Sequence, residues 1–176
     1  MSGARPRGVT PVLPGPGQES VWDYPRPPAL LASTRHVLVT LAAAGGVTAV
    51  VADTTRAYRV LETSHPPAWY LPLADVRPGA LAPSRRRSTT CEWKGAATYW
   101  DVVGPGGVIV EGAGWSYERP TSRFEPIAGF VSFMPALVRY HVDGERVRPQ
   151  AGGFYGGWIT DDVVGPFKGE AGTWGW

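Results

Sequence analysis

Apolar and polar residues alternate along much of the chain, with the period of two that is typical of half-buried β-strands. Residues 37–41 and 47–51 both follow this pattern, and the Gly45-Gly46 pair lies between them. Paired glycines favour the tight turn that joins two antiparallel strands. This part of the sequence therefore predicts a β-hairpin.

Two further segments show the same alternation around a turn. Residues 97–111 are interrupted by Gly104-Pro105-Gly106-Gly107, and residues 138–148 by Asp143-Gly144. Asp-Gly is the strongest turn signal in the chain, because both positions tolerate the left-handed backbone that a two-residue hairpin turn requires. The pattern predicts a second and a third hairpin.

The fold class follows from seven or more short strands, spaced about ten residues apart and joined by glycine and proline turns. We expect a mainly β, single compact domain of short antiparallel strands, arranged as a sandwich or a small open barrel, with little helix. Only residues 71–77 and 134–139 resemble single helical turns. Each follows an aromatic residue and a hairpin. This similarity is open to two interpretations: the two halves are pseudo-repeats, or it arises by chance.

Composition sets the domain boundaries. The chain has 176 residues, which is the size of one domain, with 23 glycines and 18 prolines. Residues 1–20 carry hardly any large apolar side chain and predict a disordered leader. Residues 21–169 form the predicted β domain, and residues 170–176 a loose tail.

Charge and cysteine content exclude several classes of protein. A formal net charge of +2 provides no strong field for a polyanion, so we expect no nucleic-acid partner. Cys91 is the only cysteine, which excludes an intramolecular disulfide and suits a reducing compartment. No signal peptide or membrane span is evident. The sequence therefore predicts a cytoplasmic protein without a membrane partner.

Three stretches mix reactive polar groups with aromatics and turn formers: residues 62–70, 89–95 and 152–158. Such mixtures are expected where loops meet over a scaffold and form a ligand pocket. The glycine-rich stretch 152–157 is open to two interpretations, backbone packing against rings or an aromatic wall for a ligand.

Cys91 and Lys94 are three positions apart, which would place them on opposite faces of a regular strand. A tight turn or bulge at Gly95 could bring the ammonium near the thiol and favour the nucleophilic thiolate. The alternative is that Cys91 is a small buried residue and Lys94 is solvated. The spacing alone leaves both open.

His65 lies before Pro66-Pro67, in a position suited either to a general acid or base or to a structural histidine. The histidines and Cys91 lack the short spacing of a zinc site, so we predict no metal and no cofactor. Arg85-Arg86-Arg87 could bind an anionic group with Lys94, although most such runs are solvated loops.

Residues from Val21 to Gly169 resemble the uncharacterised family known as domain of unknown function 427, which sometimes carries a nucleotidyltransferase label. The resemblance is carried by Ser64-His65-Pro66 with Tyr70 and Asp75-Val76, Thr90-Cys91-x-x-Lys94-Gly95-x-Ala97-x-Tyr99, Trp115-Ser116-Tyr117, and Ile127-Ala128-Gly129-Phe130-Val131-x-Phe133. The family pattern has proline after the cysteine, where this chain has Glu92. The resemblance implies a compact β domain and a shared site that includes His65, Tyr70, Asp75, Cys91, Lys94 and Tyr99.

We therefore predict a small-molecule pocket in which Cys91, Lys94 and His65 supply polar contacts or proton transfer. The ligand-binding candidates are Tyr70, Asp75, Trp93, Tyr99, Trp115 and Tyr117. One alternative is a non-catalytic interaction module, since exposed tryptophans would favour association or a homo-oligomer. The other is a nucleotidyltransferase, which the scattered carboxylates do not favour.

Overall fold

Short strands dominate the residues that the structure describes. The computed structural model describes residues 8–42 and 46–176. Its strands are β1 (Glu19–Ser20), β2 (Ala29–Ser33), β3 (Val37–Ala42), β4 (Thr48–Thr54), β5 (Ala57–Leu61), β6 (Ala68–Pro72), β7 (Leu81–Pro83), β8 (Thr90–Cys91), β9 (Gly95–Ala96), β10 (Thr98–Val103), β11 (Ile109–Ser116), β12 (Phe130–Phe133), β13 (Arg139–Val142), β14 (Glu145–Arg146), β15 (Arg148–Pro149), β16 (Trp158–Ile159) and β17 (Val163–Val164).

Two antiparallel sheets form the framework. The larger has seven strands in the order β2-β5-β6-β12-β11-β10-β7, and the smaller has four in the order β14-β13-β3-β4. Three further pairs of strands are short, and one of them, β1 with β17, is parallel. The predicted mainly β class with short antiparallel strands is confirmed, and neither sheet closes into a barrel within the described ranges.

The predicted hairpins are present. β3 pairs with β4, β10 with β11, and β13 with β14. Asp143 and Gly144 have φ angles of 50° and 84°, so both lie in the left-handed region that the Asp-Gly pattern predicted. In the first hairpin, Gly45 of the predicted Gly45-Gly46 turn lies outside the described residues.

Within residues 8–42 and 47–176 helical structure is limited to short 3₁₀ segments, in agreement with the little helix that the sequence predicted. They are Leu73–Asp75, Pro105–Gly107 and Ser122–Ile127. The first falls within residues 71–77, whereas residues 134–139 form a turn in which the Leu137 amide donates to the Met134 carbonyl. None of the helical segments in the described ranges has the length and apolarity needed to cross a bilayer.

Strands of the first half of the chain, β1–β7, pair with strands of the second half, β8–β17. In the second half the β10–β11 hairpin is followed directly by β12 and β13, whereas in the first half β5 lies between the β3–β4 hairpin and β6. β7 pairs with β10 of the second half, β13 pairs with β3 of the first, and β6 pairs with β12. β11 pairs with β12, whereas β6 pairs with β5 in the corresponding place, so the internal repeat stays a prediction.

The alternation of side chains along β6 separates the main core from a second apolar layer. Trp69 and Leu71 point into the main core, while Ala68 and Tyr70 belong to the second layer. The largest buried side chains of the main core include Trp69, Trp158, Tyr140 and Phe133. The second layer joins Tyr70 to Tyr117, Phe124 and the partly buried ring of Trp115. This second layer is the foundation of the candidate site.

Both ends of the described chain contact the domain more closely than the sequence suggested. Residues 1–7 of the predicted leader lie outside the described residues, but β1 pairs with β17 and the Val12 amide donates to the Gly165 carbonyl at 2.8 Å. In the predicted tail, the Trp176 ring packs on Trp22 with centroids 5.4 Å apart. Backbone pairing does not need large apolar side chains, which is why composition alone did not indicate it.

Candidate functional site

A cavity of about 380 Å³ lies on the second apolar layer. Its floor is formed by side chains of the large sheet, among them Val60, Tyr70, Tyr99 and Trp115. Its rim is formed by parts of the three stretches that the sequence singled out, residues 62–70, 89–95 and 152–158. Segments far apart in the sequence therefore meet around one hollow.

Eight of the nine predicted site residues border this cavity: Cys91, Lys94, His65, Tyr70, Trp93, Tyr99, Trp115 and Tyr117. Asp75 is not among the residues that line the cavity. It lies in the 3₁₀ segment after β6, where its carboxylate accepts hydrogen bonds from Thr54 and Arg56. The Arg56 guanidinium lowers the pKa of Asp75, so this carboxylate has a structural ion pair rather than a place at the cavity.

A tight turn brings Cys91 and Lys94 to the same cavity. β8 and β9 form a small hairpin in which Cys91 pairs with Gly95. Gly95 has a φ of 100°, and a Cβ there would lie 3.4 Å from the Arg119 carbonyl oxygen. Because glycine adopts this backbone without strain, the chain reverses over residues 92–94. This is the turn that the Cys91–Lys94 spacing required.

Lys94 is a nearly buried cation that borders the cavity. Its side chain is 9% exposed, and Nζ lies 5.8 Å from the ring centroids of both Tyr117 and Phe124. None of the ion pairs formed by the described residues includes Lys94. The two ring faces offset part of the desolvation of the ammonium, but burial of a charge favours a counter-ion. A negative group in the cavity would supply it.

Neutral aromatic side chains form the wall. The Trp115 indole Nε1–H donates to the Tyr70 hydroxyl at 3.1 Å, and the hydroxyls of Tyr99 and Thr89 are 2.7 Å apart. Burial raises the pKa of Tyr70 and of Tyr117 above the ordinary value, so both phenols remain protonated at neutral pH. The wall therefore offers ring faces and hydroxyl groups rather than negative charge.

His65 is held between two partners. Its Nδ1 lies 3.2 Å from Gln150 Nε2, and its ring meets the Tyr155 ring edge-to-face at a centroid distance of 4.9 Å. Burial lowers the pKa of His65 to about 4, and the surrounding positive charges act in the same direction. The imidazole is therefore neutral at physiological pH.

Arg26, Gln150 and Lys168, which the sequence analysis did not single out, also border the cavity. Glu62 forms an ion pair with Arg26 at 2.8 Å, and burial together with Arg26 lowers the pKa of Lys168. Arg86, from the basic run, lies over the Tyr99 ring at 4.3 Å and borders the cavity mouth. Cationic side chains outnumber carboxylates among the lining residues: Arg26, Arg86, Lys94 and Lys168 against Glu62 and Glu92.

A family model described as a domain of unknown function (DUF427) matches residues 29–148. No curated protein matches the chain. The matched range contains Cys91, Lys94 and His65, while Gln150 and Lys168 lie beyond its end. Part of the cavity lining is thus supplied from outside the segment that defines the family.

Proposed function

This chain belongs to the family described as domain of unknown function 427, and because that description names no reaction, we propose a function from the cavity: the protein binds a small organic anion. The planar, apolar part of the ligand packs on the aromatic wall, and its negative group pairs with Lys94. The observation that carries the proposal is a nearly buried ammonium at a cavity lined by rings, with no carboxylate partner in the part of the chain that the structure describes.

The dimensions of the cavity support a ligand of metabolite size. A volume of about 380 Å³ falls within the range of roughly 300–1,000 Å³ that is usual for small-molecule sites. Tyr70, Tyr99 and Trp115 supply flat apolar surface, and Arg86 and Lys168 add positive charge nearer the rim. This combination favours an aromatic or conjugated carboxylate or phosphate over a neutral ligand.

Thermal denaturation with small probes tests the proposal. We expect benzoate, nicotinate or phenyl phosphate to raise the melting temperature of the wild type, and neutral benzamide to do so less. Lys94→Met should weaken anion binding at least tenfold, roughly the 1.4 kcal/mol expected for one charge-assisted contact. Arg87→Met is the matched control, because Arg87 is exposed and does not border the cavity, yet the variant loses the same charge. If no anion shifts the wild type, or if Lys94→Met binds as well, the proposal fails.

A second candidate function is catalysis with Cys91 as a nucleophile. The thiol is half-buried, borders the cavity and lies in the same hairpin as the cationic Lys94. Reactive cysteines in proteins are typically found in partly exposed sites of positive charge. Because Cys91 is the only cysteine, alkylation of the protein reports on it alone.

We expect iodoacetamide to modify Cys91 in the folded protein at pH 6–7 faster than in the urea-unfolded chain. Lys94→Met should remove this difference, because it takes away the cation of the same hairpin. Mass spectrometry of quenched time points measures both rates. Equal rates in the folded and unfolded protein would contradict the nucleophilic role of Cys91. The proposed binding of an anion would be unaffected.

The interaction-module hypothesis has weaker support. Of the eight tryptophans, Trp174 alone is largely exposed, at 63%, while the others are buried or half-buried. Trp69 and Trp158 pack in the main core, and Trp93 and Trp115 border the cavity. Most of the tryptophan side chains therefore pack inside the molecule. A homo-oligomer stays a prediction.

The nucleotidyltransferase alternative needs carboxylates that hold metal-bound phosphates. Among the described residues there is no group of three or more His, Cys, Asp or Glu side chains placed to hold a metal ion. Of the two carboxylates at the cavity, Glu62 is already paired with Arg26. The donor set favours binding of an organic anion over this reaction.

A further inference from the structure

Gln150 has one possible orientation of its side-chain amide. Its Oε1 accepts a hydrogen bond from the Gly157 amide at 3.1 Å, and its Nε2 donates to the Lys168 carbonyl at 2.6 Å. Rotating the amide by half a turn would place an oxygen against a carbonyl and an N–H against an N–H. Since Gln150 is only 4% exposed, water does not compensate such a mismatch. Gln150 Nε2 therefore faces His65 as a donor.

This donor determines the tautomer of His65. Nδ1, at 3.2 Å from Gln150 Nε2, must act as the acceptor, so the proton of the neutral imidazole is on Nε2. In the described part of the chain Nε2 has no hydrogen-bond partner, and it is not among the fully buried polar atoms that lack one. Because His65 borders the cavity, the Nε2–H group is open to a ligand.

We propose that Gln150 is a positioning residue that holds His65 as the neutral Nε2–H tautomer, and that the ligand places an acceptor oxygen against this N–H. The second part rests on the proposed function; the first does not. The ligand class is thereby narrowed to organic anions that carry a carbonyl or ether oxygen at a distance from their negative group.

The groups that face His65 from other elements support its neutral state. The positive charges of Lys168, Arg26 and Lys94 lower the pKa of His65, whereas the Glu62 carboxylate raises it. The Tyr155 ring packs edge-to-face against the imidazole. Protonation would also place an Nδ1–H against the Gln150 N–H. The Nε2–H donor is therefore available throughout the pH range above about 5.

Nitrogen NMR of ¹⁵N-histidine-labelled protein, with His65 assigned from a His65→Gln variant, tests the first part without a ligand. We expect an unprotonated Nδ1 and a protonated Nε2 in the wild type from pH 5.5 to 8. In Gln150→Glu the carboxylate accepts a hydrogen bond from Nδ1–H and stabilises the imidazolium, so the pKa of His65 should rise by about three units, above its ordinary value near 6.5. Gln18→Glu, at the exposed second glutamine, is the matched control and should leave His65 unchanged.

Either of two results would overturn the role of Gln150. One is a wild-type His65 that carries its proton on Nδ1 or titrates near 6.5. The other is a folded Gln150→Glu variant whose His65 signals match those of the wild type. If Gln150→Glu does not fold, the wild-type spectrum alone still decides the tautomer.

A pair of probes tests the second part. 4-Acetylbenzoate and 4-isopropylbenzoate match in size and charge, but only the first carries a carbonyl acceptor. We expect the acetyl compound to bind the wild type about tenfold more tightly, and the preference to disappear in His65→Phe. Equal affinities would overturn the acceptor assignment while the anion-binding function stands. If neither this pair nor any other aromatic anion binds, the acceptor assignment and the anion-binding function fail together.

Discussion

Replacing Trp158 with alanine is expected to lower the free energy of unfolding by about 3–5 kcal/mol. The side chain is fully buried, with its ring 5.8 Å from that of Trp69 and 4.1 Å from that of Tyr140. The Trp158 amide also donates to the Pro67 carbonyl at 2.9 Å, which fixes the backbone next to the cavity rim. Rigid aromatic neighbours cannot collapse into the space that the indole leaves, so the cost should lie at the upper end.

Urea denaturation followed by circular dichroism measures this difference. Trp174→Ala is the matched control, because Trp174 is 63% exposed, and its loss should change the free energy of unfolding by no more than about 0.5 kcal/mol. A cost below about 1 kcal/mol for Trp158→Ala would show that the main core is not packed as described.

Gly156→Ala is expected to displace Trp115 from the cavity wall and to destabilise the fold by about 1–3 kcal/mol. A Cβ at this position would lie 2.2 Å from Trp115 Cη2 and 2.9 Å from Cζ2, far inside van der Waals contact. The Trp115 ring cannot move freely, because its Nε1–H is bonded to the Tyr70 hydroxyl. The added methyl group should therefore break this hydrogen bond or shift the loop.

The indole ¹H–¹⁵N signal of Trp115, assigned with Trp115→Phe, reports on this change directly. We expect it to move in Gly156→Ala, together with a lower melting temperature and weaker binding of the aromatic anions. Gly175→Ala is the matched glycine control, since a Cβ there meets nothing within 4 Å. An unchanged indole signal and melting temperature would contradict the close approach of Gly156 to the ring.

Local chemistry explains what the sequence could predict. The Asp143-Gly144 turn and the chain reversal at Gly95 depend on backbone preferences of the residues themselves, so both were visible in the sequence. The reversal at Gly95 is also what brings Cys91 and Lys94 to the same cavity. Within one hairpin, spacing and turn type are enough to indicate proximity.

Long-range partners explain what the sequence could not predict. Gln150 lies 85 residues from His65 in the chain, and no motif marks it. Asp75 belongs to the family pattern, but its ion pair with Arg56 joins residues 19 positions apart that only the folded chain brings together. Both pairings depend on tertiary structure, for which a single sequence carries no periodic signal.

The exchange of strands between the two halves has a consequence for assembly of the native chain. Before β13 reaches β3, and before β7 meets β10, the first strand of each hairpin has a free edge that could pair with another molecule. The contacts that close these edges join distant residues such as Thr40 and Arg139, so they form after large loops have closed. Neither half has a full set of strand partners of its own, and a nascent first half must wait for the second to be synthesised.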